Sequence, residues 1–158
     1  MTQVYLGLGS NIEPEHHLAL GLARLSQDYP LLAVSPWYRS PAMGFAGPDF
    51  INLAVLIECP DDVATLAADL KQLETEFGRA PDAVKYSSRA LDIDILLFGE
   101  AVGEFAGLQL PRSDIRQCAF VLRPLLDIYP HGIDPQTGEP LADYWPALAE
   151  QPLFPVGR

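Results

Sequence analysis

Arg89-Ala-Leu-Asp-Ile-Asp-Ile-Leu-Leu-Phe98 is the stretch from which the rest of the chain can be read. It begins with a cation, spaces two carboxylates by one residue, and runs apolar until Gly99. Alternation with a period of two is the signature of a strand, so Asp92 and Asp94 share one face while Leu91, Ile93 and Ile95 share the other. Two like charges on neighbouring positions of one face repel unless a cation lies between them. Paired carboxylates suit Mg²⁺, a hard ion that takes one or two of them and completes its octahedron with water and phosphate oxygens. The plainer reading is an edge strand with a solvated acidic face.

Composition narrows the alternatives. A chain of 158 residues with 49% apolar and 20% charged residues has the make-up of one globular domain spanning 1–158, long enough to bury a core. No apolar run approaches the ~20 residues that cross a bilayer, and Met1-Thr-Gln-Val-Tyr5 lacks the pattern of a signal peptide. Cys59 and Cys118 are too few and too isolated for a disulfide framework or a zinc site, so a cytoplasmic protein with two structural thiols is expected. A net charge of −11 argues against nucleic acid and anionic membranes as partners. Nothing demands an oligomeric interface, and a monomer is expected. Yet Arg79, Lys85, Arg89, Arg112, Arg116 and Arg123, six of the ten cations, fall in the window that holds the Asp pair. A nucleotide triphosphate would meet there both a metal site and positive charge.

The remaining elements follow from periodicity and breakers. Val4 to Leu8 reads as a strand that turns at Gly9-Ser10-Asn11, and leucines at helical spacing predict a helix over 15–29, ended by Pro30. A strand over 32–38, weakened by Pro36, leads to a Pro/Gly loop at 41–48, a candidate ligand wall. Residues 50–58 form a strong third strand. A second helix starts at Asp61 or Asp62, carries Val63, Leu66, Leu70, Leu73 and Phe77 on one face, and ends at Gly78. After the Asp-pair strand come a hairpin near 100–107, a helix over 115–128 disturbed by Pro124, and a short tail helix near 141–149. The order β-α-β-β-α-β describes an α+β fold of the ferredoxin-like, split βαβ type. It is an antiparallel sheet with two helices on one face and a helical C-terminal extension.

Taken together the motifs resemble a known family. They are Gly9-Ser10-Asn11, Tyr38-Arg39-Ser40-Pro41, Asp49-Phe50-Ile51-Asn52, Glu74 with Gly78-Arg79, the Arg89 to Phe98 string, and Pro111 followed by Phe120-Val-Leu-Arg-Pro-Leu125. In this order, from position 4 to about 130, they are similar to 6-hydroxymethyl-7,8-dihydropterin pyrophosphokinase of folate biosynthesis. The resemblance implies transfer of the β,γ-diphosphate of ATP to the pterin hydroxymethyl group. It implies Asp92 and Asp94 as ligands of two Mg²⁺ ions, Arg79, Arg89 and Lys85 as triphosphate contacts, and Glu74 on the nucleotide side. Phe50 and Phe120 match its ring-stacking positions, and Asn52, with Ser40, Pro41 and Met43 of the loop, faces the ring edge.

The departures from the pattern lie on the nucleotide side. Arg112 stands where the family usually has His, and Cys118 where it has Arg; Tyr86, Gly107 and Gln109 also differ. Arg112 and Arg116 are the expected replacements for the missing cations. The competing expectations are a diverged paralogue that binds pterin with little transfer, and a non-catalytic ferredoxin-like sensing domain.

Overall fold

The computed structural model describes residues 1–78 and 88–157. Strand β1 (Thr2–Ser10) leads into helix α1 (Pro14–Asp28), followed by β2 (Leu31–Val34), β3 (Tyr38–Ser40) and β4 (Phe50–Cys59). Helix α2 (Val63–Glu76) precedes β5 (Asp92–Phe98), then the hairpin β6 (Gly103–Phe105) and β7 (Leu108–Leu110). Two helices, α3 (Asp114–Gln117) and α4 (Ala119–Ile128), precede a 3-10 turn at Leu141–Tyr144, α5 (Trp145–Leu148) and β8 (Phe154–Pro155). The main sheet runs β5-β1-β4-β3-β8, with β2 also on β4, and every pairing is antiparallel.

The alternation of β1 sorts the core into two layers. Val4, Leu6 and Leu8 are buried with Leu18 and Leu25 of α1 and Leu66, Leu70 and Leu73 of α2. Tyr5 points the other way and stacks on Tyr129 with ring centroids 4.5 Å apart. It packs with Leu122 and Leu125 of α4. Two helices therefore cover one face, as expected, and the C-terminal helices cover part of the other. The Asp62 side chain caps α2 by accepting from the Thr65 backbone N–H at 2.9 Å, and Gly78 closes the helix with φ of 95°.

Three expectations require correction. The strand expected over 32–38 is two strands, because Pro36 has no N–H to give a ladder and Ser35-Pro36-Trp37 bows between them. The helix expected over 115–128 breaks at Cys118, whose extended backbone (φ −125°, ψ 119°) separates α3 from α4. Pro124 does not break α4. Lacking an N–H, it cannot bond to the carbonyl of Phe120, but the helix passes through it. The tail strand β8 has no alternation long enough to be seen in sequence.

Candidate active site

The site is built on strand register. Gly9 lies opposite Asn52 of β4 on one side and Asp92 of β5 on the other; Gly7 lies between Ala54 and Asp94. Ile51, Leu53, Ile93 and Ile95 turn towards the helices α1 and α2, so Asn52, Asp92 and Asp94 emerge on the opposite face. On that face β1 contributes only hydrogens at Gly7 and Gly9. A methyl group on Gly9 would sit 2.6 Å from Oδ1 of Asn52. The missing side chains make room for neighbours: Leu96 packs over Gly7, and Asn52 with Phe50 lies over Gly9.

A cleft of about 500 Å³ opens along β5, reaching both its acidic positions and Ile93 and Ile95 beside α2. One wall holds Ser40, Pro41, Met43, Phe50 and Asn52, with Phe120 projecting from the start of α4. The other holds Glu74, Arg89, Asp92, Asp94 and Arg112. Asn52 donates from Nδ2 to the hydroxyl of Ser40 at 3.4 Å, which turns its amide along the wall. All six residues of the expected ring side are therefore together, and both aspartates face the same space.

The residues expected on the nucleotide side are only partly where they were expected. Arg112 donates from Nε to Asp114 at 2.9 Å and lies 3.7 Å from Asp94. Burial works against its charge, but Asp94, Asp114 and Asp92 outweigh burial and the net direction of its pKa is up. Arg116 is a correction. It does not line the cleft but pairs with the buried Asp134 at 3.0 Å, in a cluster completed by Tyr144 and Gln136. Its guanidinium faces a carboxylate that could not be left alone in the interior. Lys71, one turn before Glu74 on α2, lines the cleft instead and was not anticipated. Because its sequence context is a helix surface, only the packing of α2 beside β5 reveals it. Arg79 and Lys85, and Tyr86 with them, lie outside the described residues.

Glu74 is a buried carboxylate on α2. It is 6% exposed, and its Oε2 accepts from the backbone N–H of Ile93 at 2.8 Å. It therefore braces the peptide between the two aspartates. Cys118 is buried, and burial pushes its thiol up to about 11, so it supplies no charge where the resembling family has Arg. Gly107, with φ of 80°, forms with Ala106 (φ 51°) the tight turn between β6 and β7. Ala106 and Leu108 reach the cleft from that hairpin.

The donor set suits a hard divalent ion. Two half-buried carboxylates share one face, and among the described residues no group of three acidic, His or Cys side chains forms a closed ligand cage. Such a site leaves most of the coordination shell to water and phosphate oxygens, as Mg²⁺ prefers. No helix among the described residues is long and apolar enough to cross a membrane.

Residues 5–130 match the family model of 7,8-dihydro-6-hydroxymethylpterin-pyrophosphokinase (HPPK). The 2-amino-4-hydroxy-6-hydroxymethyldihydropteridine pyrophosphokinase of Pseudomonas aeruginosa is 36% identical over 132 residues, 81% of this chain and 81% of that one. The Aquifex aeolicus protein of the same name is 30% identical over 155 residues, 97% and 96% of the two chains. Among solved structures, an HPPK-DHPS in complex with substrates superposes with a TM-score of 0.73 at 11% identity, and Plasmodium falciparum HPPK-DHPS with 0.68 at 13%. This chain covers 93% of itself in each but only 45% and 43% of those longer chains, and at such identity the likeness is one of fold. With the acidic pair and the aromatic wall in one cleft, and the match running through both, the chain belongs to the 7,8-dihydro-6-hydroxymethylpterin-pyrophosphokinase family.

Proposed function

We propose that this single-domain chain, of ferredoxin-like split βαβ topology, performs its family's reaction in this cleft with Mg²⁺ held by Asp92 and Asp94. The protein is an ATP-dependent pyrophosphokinase: it moves diphosphate from ATP to the hydroxymethyl group of 6-hydroxymethyl-7,8-dihydropterin, a step of folate synthesis. The observation that carries the mechanism is the row Asn52–Gly9–Asp92, in which one strand separates Asn52 from the acidic pair. A bicyclic ring lying between Phe50 and Phe120 would bring its hydroxymethyl group towards the aspartates.

Two Mg²⁺ ions there would neutralise phosphate charge and polarise the attacking hydroxyl. Every other contribution comes from the chain itself. Asn52 offers a donor and an acceptor to the ring edge, and the backbone of Ser40 and Met43 completes that edge. Arg89, Arg112 and Lys71 present cations to the triphosphate, the two arginines as planar forks and the lysine as a point charge. Arg79 and Lys85 are further candidates for the same duty. Alignment and charge stabilisation account for most of the catalysis, since diphosphate transfer asks for little else. The cations Arg112 and Lys71 on the wall favour an active enzyme over a diverged binder, because they restore charge that Cys118 cannot give. The two free thiols fit a reducing compartment such as the cytoplasm, where the chain would work as a monomer.

The direct test is AMP release with the dihydropterin, ATP and Mg²⁺; an inert protein under saturating substrates would sink the proposal. Two substitutions divide the site. Phe120→Ala should raise the KM for pterin by about tenfold, the worth of one aromatic contact, and leave that for ATP within about threefold. Equal losses would reduce Phe120 to packing. Arg112→Ala should raise the KM for ATP by about tenfold with pterin binding kept, as loss of one charge-assisted contact predicts. Unchanged ATP binding would show that it does not replace the family's His.

A further inference from the structure

We infer that Asn11 is a positioning residue for the transfer, a clasp that ties the ring-side loop to the segment carrying Arg89; this rests on the function proposed above. Asn11 follows β1 and is 3% exposed. Its Oδ1 accepts from the Arg89 backbone N–H at 2.7 Å, and its own N–H donates to the Arg89 carbonyl at 3.0 Å. The Ser10 hydroxyl reaches the same carbonyl at 3.4 Å. Arg89 is thereby held from both backbone sides by a two-residue turn.

The amide has only one orientation that satisfies these partners. A backbone N–H can only donate, so the oxygen of Asn11 must face Arg89 and the NH₂ must face away. That NH₂ donates to the carbonyl of Pro48 at 3.3 Å and to the hydroxyl of Ser88 at 3.3 Å. Pro48 ends the loop 41–48, whose Pro41, Met43 and Phe45 line the ring side of the cleft. Arg89 lines the opposite side. One buried side chain therefore fixes the two substrate walls relative to each other, which is the alignment that transfer between two bound molecules needs. Neither a serine nor an aspartate could make the same set of bonds, because each lacks the NH₂.

The test compares Asn11→Ala and Asn11→Asp in the full chain. Calorimetry reads binding of α,β-methylene ATP with Mg²⁺, and separately of 6-hydroxymethyl-7,8-dihydropterin; AMP release gives kcat, and thermal unfolding gives Tm. Asn11→Ala should weaken both ligands by about fivefold or more and lower kcat by about a hundredfold, the scale expected when alignment is lost. Asn11→Asp keeps the acceptor for Arg89 and loses both donations. It should return the ATP analogue to within about threefold of wild type while the pterin stays about tenfold weaker. A purely structural Asn11 would lower Tm and leave kcat and both affinities within about twofold, which overturns the inference. So does an Asn11→Asp protein equally weak for both ligands, and that comparison decides alone if Asn11→Ala fails to fold. A wild-type protein that releases no AMP would overturn the proposed function instead, whereas an active wild type with indifferent Asn11 variants overturns only the clasp.

Discussion

Asp94→Ala should release AMP about a thousandfold more slowly than wild type, or not at all, while unfolding at nearly the same temperature. The rate loss follows from the proposed role. Removing one of two metal-holding carboxylates takes away charge stabilisation worth several kcal/mol in the transition state, and each ~1.4 kcal/mol is a factor of ten. The small effect on folding follows from position. The side chain is 34% exposed at the cleft wall, so no core cavity opens. Its loss relieves repulsion with Asp92, and Arg112 keeps Asp114 as partner at 2.9 Å. Steady-state assays across a Mg²⁺ titration, with thermal unfolding in parallel, check both halves. Activity within tenfold of wild type would remove Asp94 from the metal site.

The second large effect is expected at Gly9. Its conformation does not call for glycine; the space does. A Cβ there would come 2.6 Å from Oδ1 of Asn52 and 3.7 Å from Cδ1 of Phe50. No real contact is that short, so in Gly9→Ala the Asn52 amide must swing away, breaking its 3.4 Å bond to Ser40. The group that gives way is the tip of a flexible side chain, so folding loses little, but that tip is the proposed ring-edge partner. Pterin affinity should fall by about a hundredfold and ATP-analogue affinity by no more than about threefold, since Asn52 stands on the ring side of the cleft. Calorimetry with each ligand separates the two. Retention of pterin binding within twofold would mean that Asn52 does not touch the ring.

Much of this site was visible in the residues themselves. The face shared by Asp92 and Asp94 and the amphipathic helices α1 and α2 follow from local periodicity. What was hidden depends on contacts between distant segments. Arg116 looked like a phosphate cation until Asp134, eighteen residues on, was found folded back against it. Lys71 and Glu74 sit on a helix surface by pattern, and only its packing beside β5 makes one a cleft wall and the other a buried brace for Ile93. A further signal lies in Val4-Tyr-Leu-Gly-Leu-Gly9, where the glycines recur with the strand period and leave room on one face for side chains of the neighbouring strands.

Glu74 ties the cohesion of the protein to its cleft. It lines the cleft, is buried, and holds the backbone between the two aspartates. Ile93 and Ile95 likewise belong both to the core beneath α1 and α2 and to the cleft wall. Exchange at these positions would loosen the fold together with the site. Arg112 stands a third exposed at the rim, where a different side chain opens no core cavity. Variation compatible with the framework is therefore confined to the outer edge of the cleft.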